Sequence, residues 1–393
     1  MSALGSLDAL LSPEGWPHAS SLPQDDLDSG RYHALFGRDS AITSLQVLPE
    51  RPEVARATLR ALAALQGTNE DPATDEEPGK IVHEHRRELN EHLRSLGWGA
   101  LFRDGELRYY GSADATPWFL VLLDVLGDRG LAVELEGAWR AAGAWLERAL
   151  ERGGGLLRYG PRQAALGLAQ QGWRDAVDPA DDAHHGGGIL REDGTAPSPP
   201  LADADCQAVA LVALRALGRL SGEPHWERAA AALAGRIERA FSAETMALEA
   251  DNREVRGAGS QLGWLLWAGA LGPSAAQRAA ERLSRPDVLT DFGLRTLSSE
   301  HGTFHPSSYH RGSVWPFDCW LGWGGLRAAG HHDAAERVRA GVLSAIAQLG
   351  GAPELYSVGA TGPRPIEVSN RVQAWTVGAR FALESEWDAR RAV

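Results

Sequence analysis

Lysine is almost missing from this chain: Lys80 is the sole lysine among 39 basic residues, the rest being arginine. A GC-rich coding bias explains that as readily as adaptation to heat or desiccation, so no function follows from it. Cysteine is scarce too. Cys206 and Cys319 both lie in apolar helical surroundings, which argues for two buried thiols and against a bridge or a cysteine metal site. Residues 1–23 lack the basic start and continuous apolar core of a secretion signal, and no later stretch is long enough to span a bilayer. A soluble, cytoplasmic protein is expected, with no membrane partner. Positive charge is also short: the formal net charge of −13 and pI near 5.5 argue against a nucleic-acid partner and leave room for a neutral ligand. Finally, no Pro/Gly/Ser-rich linker divides the 393 residues, so an extension over 1–29 and one closed domain over 30–390 are expected.

What is present is helical periodicity. Apolar residues recur at 3.6-residue spacing over Pro52–Gln66, Ala113–Leu126, Leu131–Leu150, Ala204–Leu220, Trp226–Phe241, Ser260–Leu271, Ala275–Leu283, Ser313–Ala328, Ala334–Leu349 and Arg371–Leu383. Ser40–Leu48 brings the total to eleven helices, with a weaker candidate over Val82–Leu96. Strand signals are nearly absent. Short turns alternate with longer, polar loops, which predicts an all-α (α/α)6 toroid: an inner helical ring inside an outer one, the long loops gathered at one end. No strict internal repeat supports a solenoid.

Four of those loops mix aromatic, arginine, glycine and carboxylate. They are Phe36–Ser40, Gln170–Asp175, Tyr309–Asp318 and Pro353–Tyr356. In Trp173-Arg174-Asp175, desolvation by the indole raises the carboxyl pKa and the neighbouring guanidinium lowers it; the sequence leaves the winner open, and a helix N-cap is the plainer role for Asp175. The 14 tryptophans either anchor a core or cover the apolar face of a ring.

Taken in order, Phe36-Gly37-Arg38-Asp39-Ser40, Gly79-Lys80-Ile81-Val82-His83-Glu84-His85-Arg86, Tyr110–Pro117, Gln171–Asp175, Tyr309–Pro316, Glu354-Leu355-Tyr356 and Val372-Gln373-Ala374-Trp375 resemble a known group. It is the glycogen-debranching (amylo-α-1,6-glucosidase) and glycoside hydrolase family 63 group of six-hairpin glycosidases. The resemblance spans roughly 30–380. It implies a glycoside hydrolase acting on a small carbohydrate without metal or cofactor, Asp175 being the general acid and Glu354 the general base of an inverting pair. Glu367 rivals Glu354, which alone has the Pro-Glu-Leu-Tyr context. Substrate contacts are implied for Arg38, Asp39, His83, Glu84, Asp114, Trp173, Arg174, Tyr309, His310, Trp315, Gln373 and Trp375, with Trp173 and Trp315 as stacking platforms.

Structural roles compete at several positions: Arg38 with Asp39 as an ion pair, Asp114 as a helix N-cap, His83 as a satisfied buried imidazole. The chain departs from the family at Arg174 and Ala176, where Lys and Ser are common, and at Phe317 and Cys319 flanking Asp318. Asp181–Gly188 holds metal-ligand residue types, but consecutive residues on a glycine-rich loop suit a lid or a solvated loop better. A sugar epimerase or phosphorylase on the same toroid, using His184, His185, His331 and His332, is the alternative, and a non-catalytic glycan-binding protein is a third.

Overall fold

The computed structural model describes residues 6–22, 31–161, 167–177 and 187–388. Six helices form a closed inner ring: α1 (Gly37–Gln46), α3 (Ala115–Leu126), α6 (Ala204–Ser221), α8 (Gln261–Trp267), α10 (Pro316–Ala328) and α12 (Ala374–Glu384), each packed on the next and α12 back on α1. Around them stand α2 (Pro52–Ala64), α4 (Arg129–Glu134) with α5 (Glu136–Arg152), α7 (Pro224–Ala240), α9 (Pro273–Leu283) and α11 (His332–Leu349). The expected (α/α)6 toroid is the observed fold. Between α12 and α1 the N-terminal segment covers the ring, Leu7 and Leu10 packing on Val47, Ala374 and Val377.

Local chemistry starts and stops these helices. Proline opens α2, α7, α9 and α10, where its fixed φ suits the first turn and no amide is needed. Left-handed Gly127, Gly222 and Gly350 close α3, α6 and α11. The expected Leu131–Leu150 helix is divided into α4 and α5 at Leu135. Trp118, Trp264, Trp267, Trp320 and Trp323 lie fully buried in the ring, each removing a large apolar surface from water. α8 and α10 touch through glycine: a Cβ on Gly263 would lie 2.5 Å from the Gly322 Cα. The ring is latched by Trp387, whose indole N–H donates to the Leu45 carbonyl at 2.8 Å.

Two expectations need correction. Strands are present, among the described residues short ones in four antiparallel sheets built from the loops. The Val82–Leu96 candidate is not one helix: it contains strand β2 (Glu84–Arg86) and only a helical turn at Glu91–Ser95. β2 is held between β1 (Leu35–Phe36) and β4 (Glu106–Tyr109), with β3 (Phe102–Arg103) at the edge; this pairing with distant segments overrides local preference. Cys206 and Cys319 are free and buried. No helix among the described residues is long and apolar enough to cross a membrane.

Candidate active site

The segments leading into five of the inner helices, α1, α3, α6, α10 and α12, line a cavity of about 180 Å³. β1 leads directly into α1, so Phe36 faces the cavity and Arg38 and Asp39 occupy its floor. Gly37 is required there: its N–H donates to the His83 carbonyl at 2.9 Å, and a Cβ would lie 2.1 Å from the Val82 carbonyl oxygen. β2, paired to β1, brings His83, Glu84 and Arg86 to the same wall.

Arg38 is the electrostatic centre. Its guanidinium donates to Asp175 Oδ2 at 2.8 Å and to the Gly172 carbonyl at 3.1 Å, and lies 3.4 Å from both Asp39 and Asp114. Burial alone would raise the Asp175 carboxyl, but Arg38, His310 and His83 outweigh it and hold it down at about 2. Asp39 goes the other way: burial pushes it up to about 7, against the pull of Arg38. Burial lowers His83 to about 3 and His310 to about 4, so both imidazoles are neutral at pH 7. The His310 Nε2 lies 3.9 Å from Asp175 Oδ1.

Also lining the cavity, Glu354 accepts from the Tyr309 hydroxyl at 2.6 Å on Oε1, and on Oε2 from the Asn370 backbone N–H at 3.1 Å and side-chain amide at 3.2 Å. Burial raises this carboxyl to about 8 despite those donors. Glu84 pairs with Arg86, and burial raises its pKa as well.

Arg38, Asp39, His83, Glu84, Trp173, Asp175, Tyr309, His310, Trp315, Glu354 and Trp375 all line the cavity, brought together from the separate loops that carry them. Arg174, Asp114 and Gln373 do not. Arg174 turns away to Asp205 at 2.9 Å, to Ser260 at 2.8 Å and to the Thr296 carbonyl at 3.0 Å. The guanidinium beside Asp175 is therefore Arg38. Asp114 lies beneath Arg38, accepting from Ser112 at 2.6 Å; it holds the N-cap position of α3 without a side-chain cap bond, and the Ala115 N–H donates instead to the Ser112 hydroxyl at 3.1 Å. Gln373 accepts from the Asn370 amide at 3.1 Å. Asp175 caps no helix, standing in the loop closed by the Gln170–Ala176 bridge. His83 leaves its Nδ1 without a partner.

Trp173 and Trp315 are each about 1% exposed and already stacked on protein groups, Trp173 parallel to Trp264 at 6.0 Å and Trp315 parallel to His310 at 5.0 Å. They are wall tryptophans before they are platforms. Glu367 is exposed and outside the cavity. Asp318 is buried and accepts from the Trp264 indole at 2.6 Å. Residues 181–186, with His184 and His185, lie outside the described residues, whereas Gly187 reaches the cavity beside Asp175. His331 and His332 stand at the start of α11, also away from the cavity. Among the described residues no cluster of three or more metal-ligand side chains occurs.

Sequence reasoning missed Arg31, Tyr32, Phe36, Arg86 and Trp98 in the cavity wall, and Asn370 behind Glu354. Phe36 and Arg86 are the end residues of motifs already singled out. Trp98 follows the helical turn at Glu91–Ser95 and has no motif around it.

A ring of inner helices with a carboxylate-lined cavity at its loop end defines a glycoside hydrolase of the six-hairpin class. Crystal structures of the family 63 mannosylglycerate hydrolase from Thermus thermophilus share the fold. The complex with Tris and D-glycerate has a TM-score of 0.72 at 17% identity, covering 98% of each chain. The complex with glucose has a TM-score of 0.69 at 19% identity, again over 98% of each. No curated protein matches the chain in sequence. Residues 122–357 match the mannosylglycerate hydrolase MGH1-like glycoside hydrolase domain, and the chain belongs to that family.

Proposed function

We propose that this protein hydrolyses, with inversion, the α-glycosidic bond of a small glycosylated organic acid, in a single catalytic domain spanning 30–390 on which the N-terminal segment packs. The observation that carries this reading is the cavity itself. Two carboxyls on separate loops, Asp175 and Glu354, face a space of about 180 Å³. Among the described residues, buried polar atoms around it have no hydrogen-bond partner: Asp39 Oδ2, which has only an ion-pair contact with Arg38, His83 Nδ1, both His310 nitrogens and Trp375 Nε1. Buried polar atoms are normally satisfied, and the hydroxyls of one sugar would satisfy these. At the wall the Arg31 Nε has no hydrogen bond among the described residues, stands close to Tyr32, and suits the carboxylate of an aglycone such as glyceric acid. The names of the family and of the Thermus relative point the same way. Two buried thiols support a reducing, cytoplasmic setting.

In this reading Asp175 protonates the glycosidic oxygen while Glu354 takes a proton from the attacking water, on the opposite face of the sugar. Arg38 and Asp39 hold hydroxyls of the sugar, with His83, Glu84, Tyr309, His310, Trp315 and Trp375 around it. Asp114, Arg174 and Gln373 act from behind. One observation favours the reverse assignment. With the protein's own groups alone, the proton sits on Glu354, raised to about 8, and Asp175 is ionised at about 2. That is the distribution left after one turnover of the favoured mechanism. The favoured assignment therefore requires the substrate to draw Arg38 off Asp175 and return the proton to it.

The testing experiment is a proton NMR time course with glucosylglycerate, mannosylglycerate and short α-linked disaccharides. Release of the β-anomer first supports the inverting pair. Release of the α-anomer first refutes it.

A further inference from the structure

Resting on the reading of Glu354 as the base, the structure assigns Asn370 as the positioning residue that decides which oxygen of that carboxylate accepts the proton from water. The loops 352–355 and 369–373 run side by side, bridged at Ala352–Val372. Between them, Glu354 and Asn370 are joined three times. The Glu354 N–H donates to the Asn370 carbonyl at 2.9 Å. The Asn370 N–H and amide both return to Oε2, at 3.1 and 3.2 Å. Each carboxylate oxygen has two lone-pair directions, so Oε2 is saturated. Among the described residues Oε1 accepts only from Tyr309, a cavity-wall residue, at 2.6 Å, which leaves one direction for a water proton.

The amide is itself oriented from behind. Its second N–H goes to Gln373 Oε1 at 3.1 Å, which sets the nitrogen, and not the oxygen, against Glu354. Tyr32 adds a further link, its hydroxyl lying 3.4 Å from that of Tyr309. Oε1 is thereby presented to the cavity by one hydroxyl, while Oε2 is tied to the scaffold by two N–H groups. Asn370 and Gln373 are absent from the cavity wall, so neither competes for the sugar.

Asn370→Ala tests this against wild type and Glu354→Gln, with kcat, KM and the pH profile of kcat measured for each, because kcat reports the substrate complex, in which Asp175 carries the proton and Glu354 sets the acidic limb. Losing a hydrogen bond to a charged group predicts a kcat about 10- to 100-fold lower. KM should stay within about threefold, because the amide touches no substrate. The acidic limb of the profile should move to higher pH, since a donor that favours the ionised carboxylate is gone. Gln373→Ala, which frees the amide without removing it, should move kcat and the acidic limb in the same direction by less, and serves if Asn370→Ala does not fold. An unchanged acidic limb, or a rise in KM at constant kcat, overturns the assignment of Asn370. If Glu354→Gln keeps wild-type kcat, the base itself is misassigned. Inactivity of Glu354→Gln beside a wild-type profile for Asn370→Ala rejects the positioning role alone.

Discussion

Asp175→Asn separates the two carboxyl roles. The substitution keeps the side-chain shape and leaves Arg38 beside Asp39 and Asp114, both at 3.4 Å, so no buried cation is stranded and the fold should hold. The loss should then fall on proton donation. General acid catalysis contributes about 10²- to 10⁴-fold, or about 3–5 kcal/mol at 1.36 kcal/mol per decade. That contribution matters only when the leaving group needs a proton. On an alkyl glycoside, kcat/KM should drop by about a thousandfold, while on a glycosyl fluoride or a nitrophenyl glycoside it should drop by less than about tenfold. Glu354→Gln, which removes activation of water, should lose similar amounts on both. Steady-state kinetics on the paired substrates decides. If Glu354→Gln shows the leaving-group dependence and Asp175→Asn does not, the roles are reversed, as the raised Glu354 and lowered Asp175 pKa values favour. Equal losses for Asp175→Asn on both substrates would leave it no acid role.

Stability should depend on pH through the same groups. Glu354 is raised from 4.5 to about 8 and Asp39 from 3.8 to about 7, so the folded state binds protons that the unfolded chain releases. Their stabilisation is complete below about pH 4 and is lost as pH rises through 7–8, by at most ~1.4 kcal/mol per pH unit for each group. Tm without substrate should fall across that window, and Glu354→Gln should flatten the fall; a parallel curve for the variant would refute the Glu354 contribution. Asp175, lowered to about 2, acts oppositely: its stabilisation is present above pH 3.8 and lost toward pH 2. Gly263→Ala would press a methyl against the Gly322 Cα, and overpacking of this kind costs about 1–3 kcal/mol. Thermal unfolding should show a Tm several degrees lower, and an unchanged Tm would mean α8 and α10 can separate freely. Arg31→Met should raise KM about 10- to 100-fold for a glyceric acid glycoside and leave the methyl glycoside unaffected, because only the first offers a carboxylate. Equal effects on both would remove the aglycone role of Arg31.

The helices were legible because their causes are local. Apolar spacing, proline at the first turn of α2, α7, α9 and α10, and left-handed glycine after α3, α6 and α11 all act within a few residues. Alternating short and long connections then implied a double ring with one functional end, and the ordered loops carried most of the cavity wall. Legibility failed where a side chain had to choose a distant partner. Arg174 and Asp175 are adjacent, yet in non-helical backbone neighbouring side chains point to opposite sides. One went down to Asp205 and the other up to Arg38, 137 residues away in the chain. β2 became a strand through pairing with β1 and β4. Asn370 became the clamp on Glu354 only because two loops 16 residues apart are pressed together.

The sequence by itself determined the helices, their ends and the set of chemically rich loops, since each depends on free energies of a few neighbouring residues. Only the tertiary structure decided which charges meet. Ring closure, latched by Trp387 on Leu45, brings buried carboxylates against one shared Arg38, and burial then sets the protonation of each group by what it touches rather than by what precedes it in the chain.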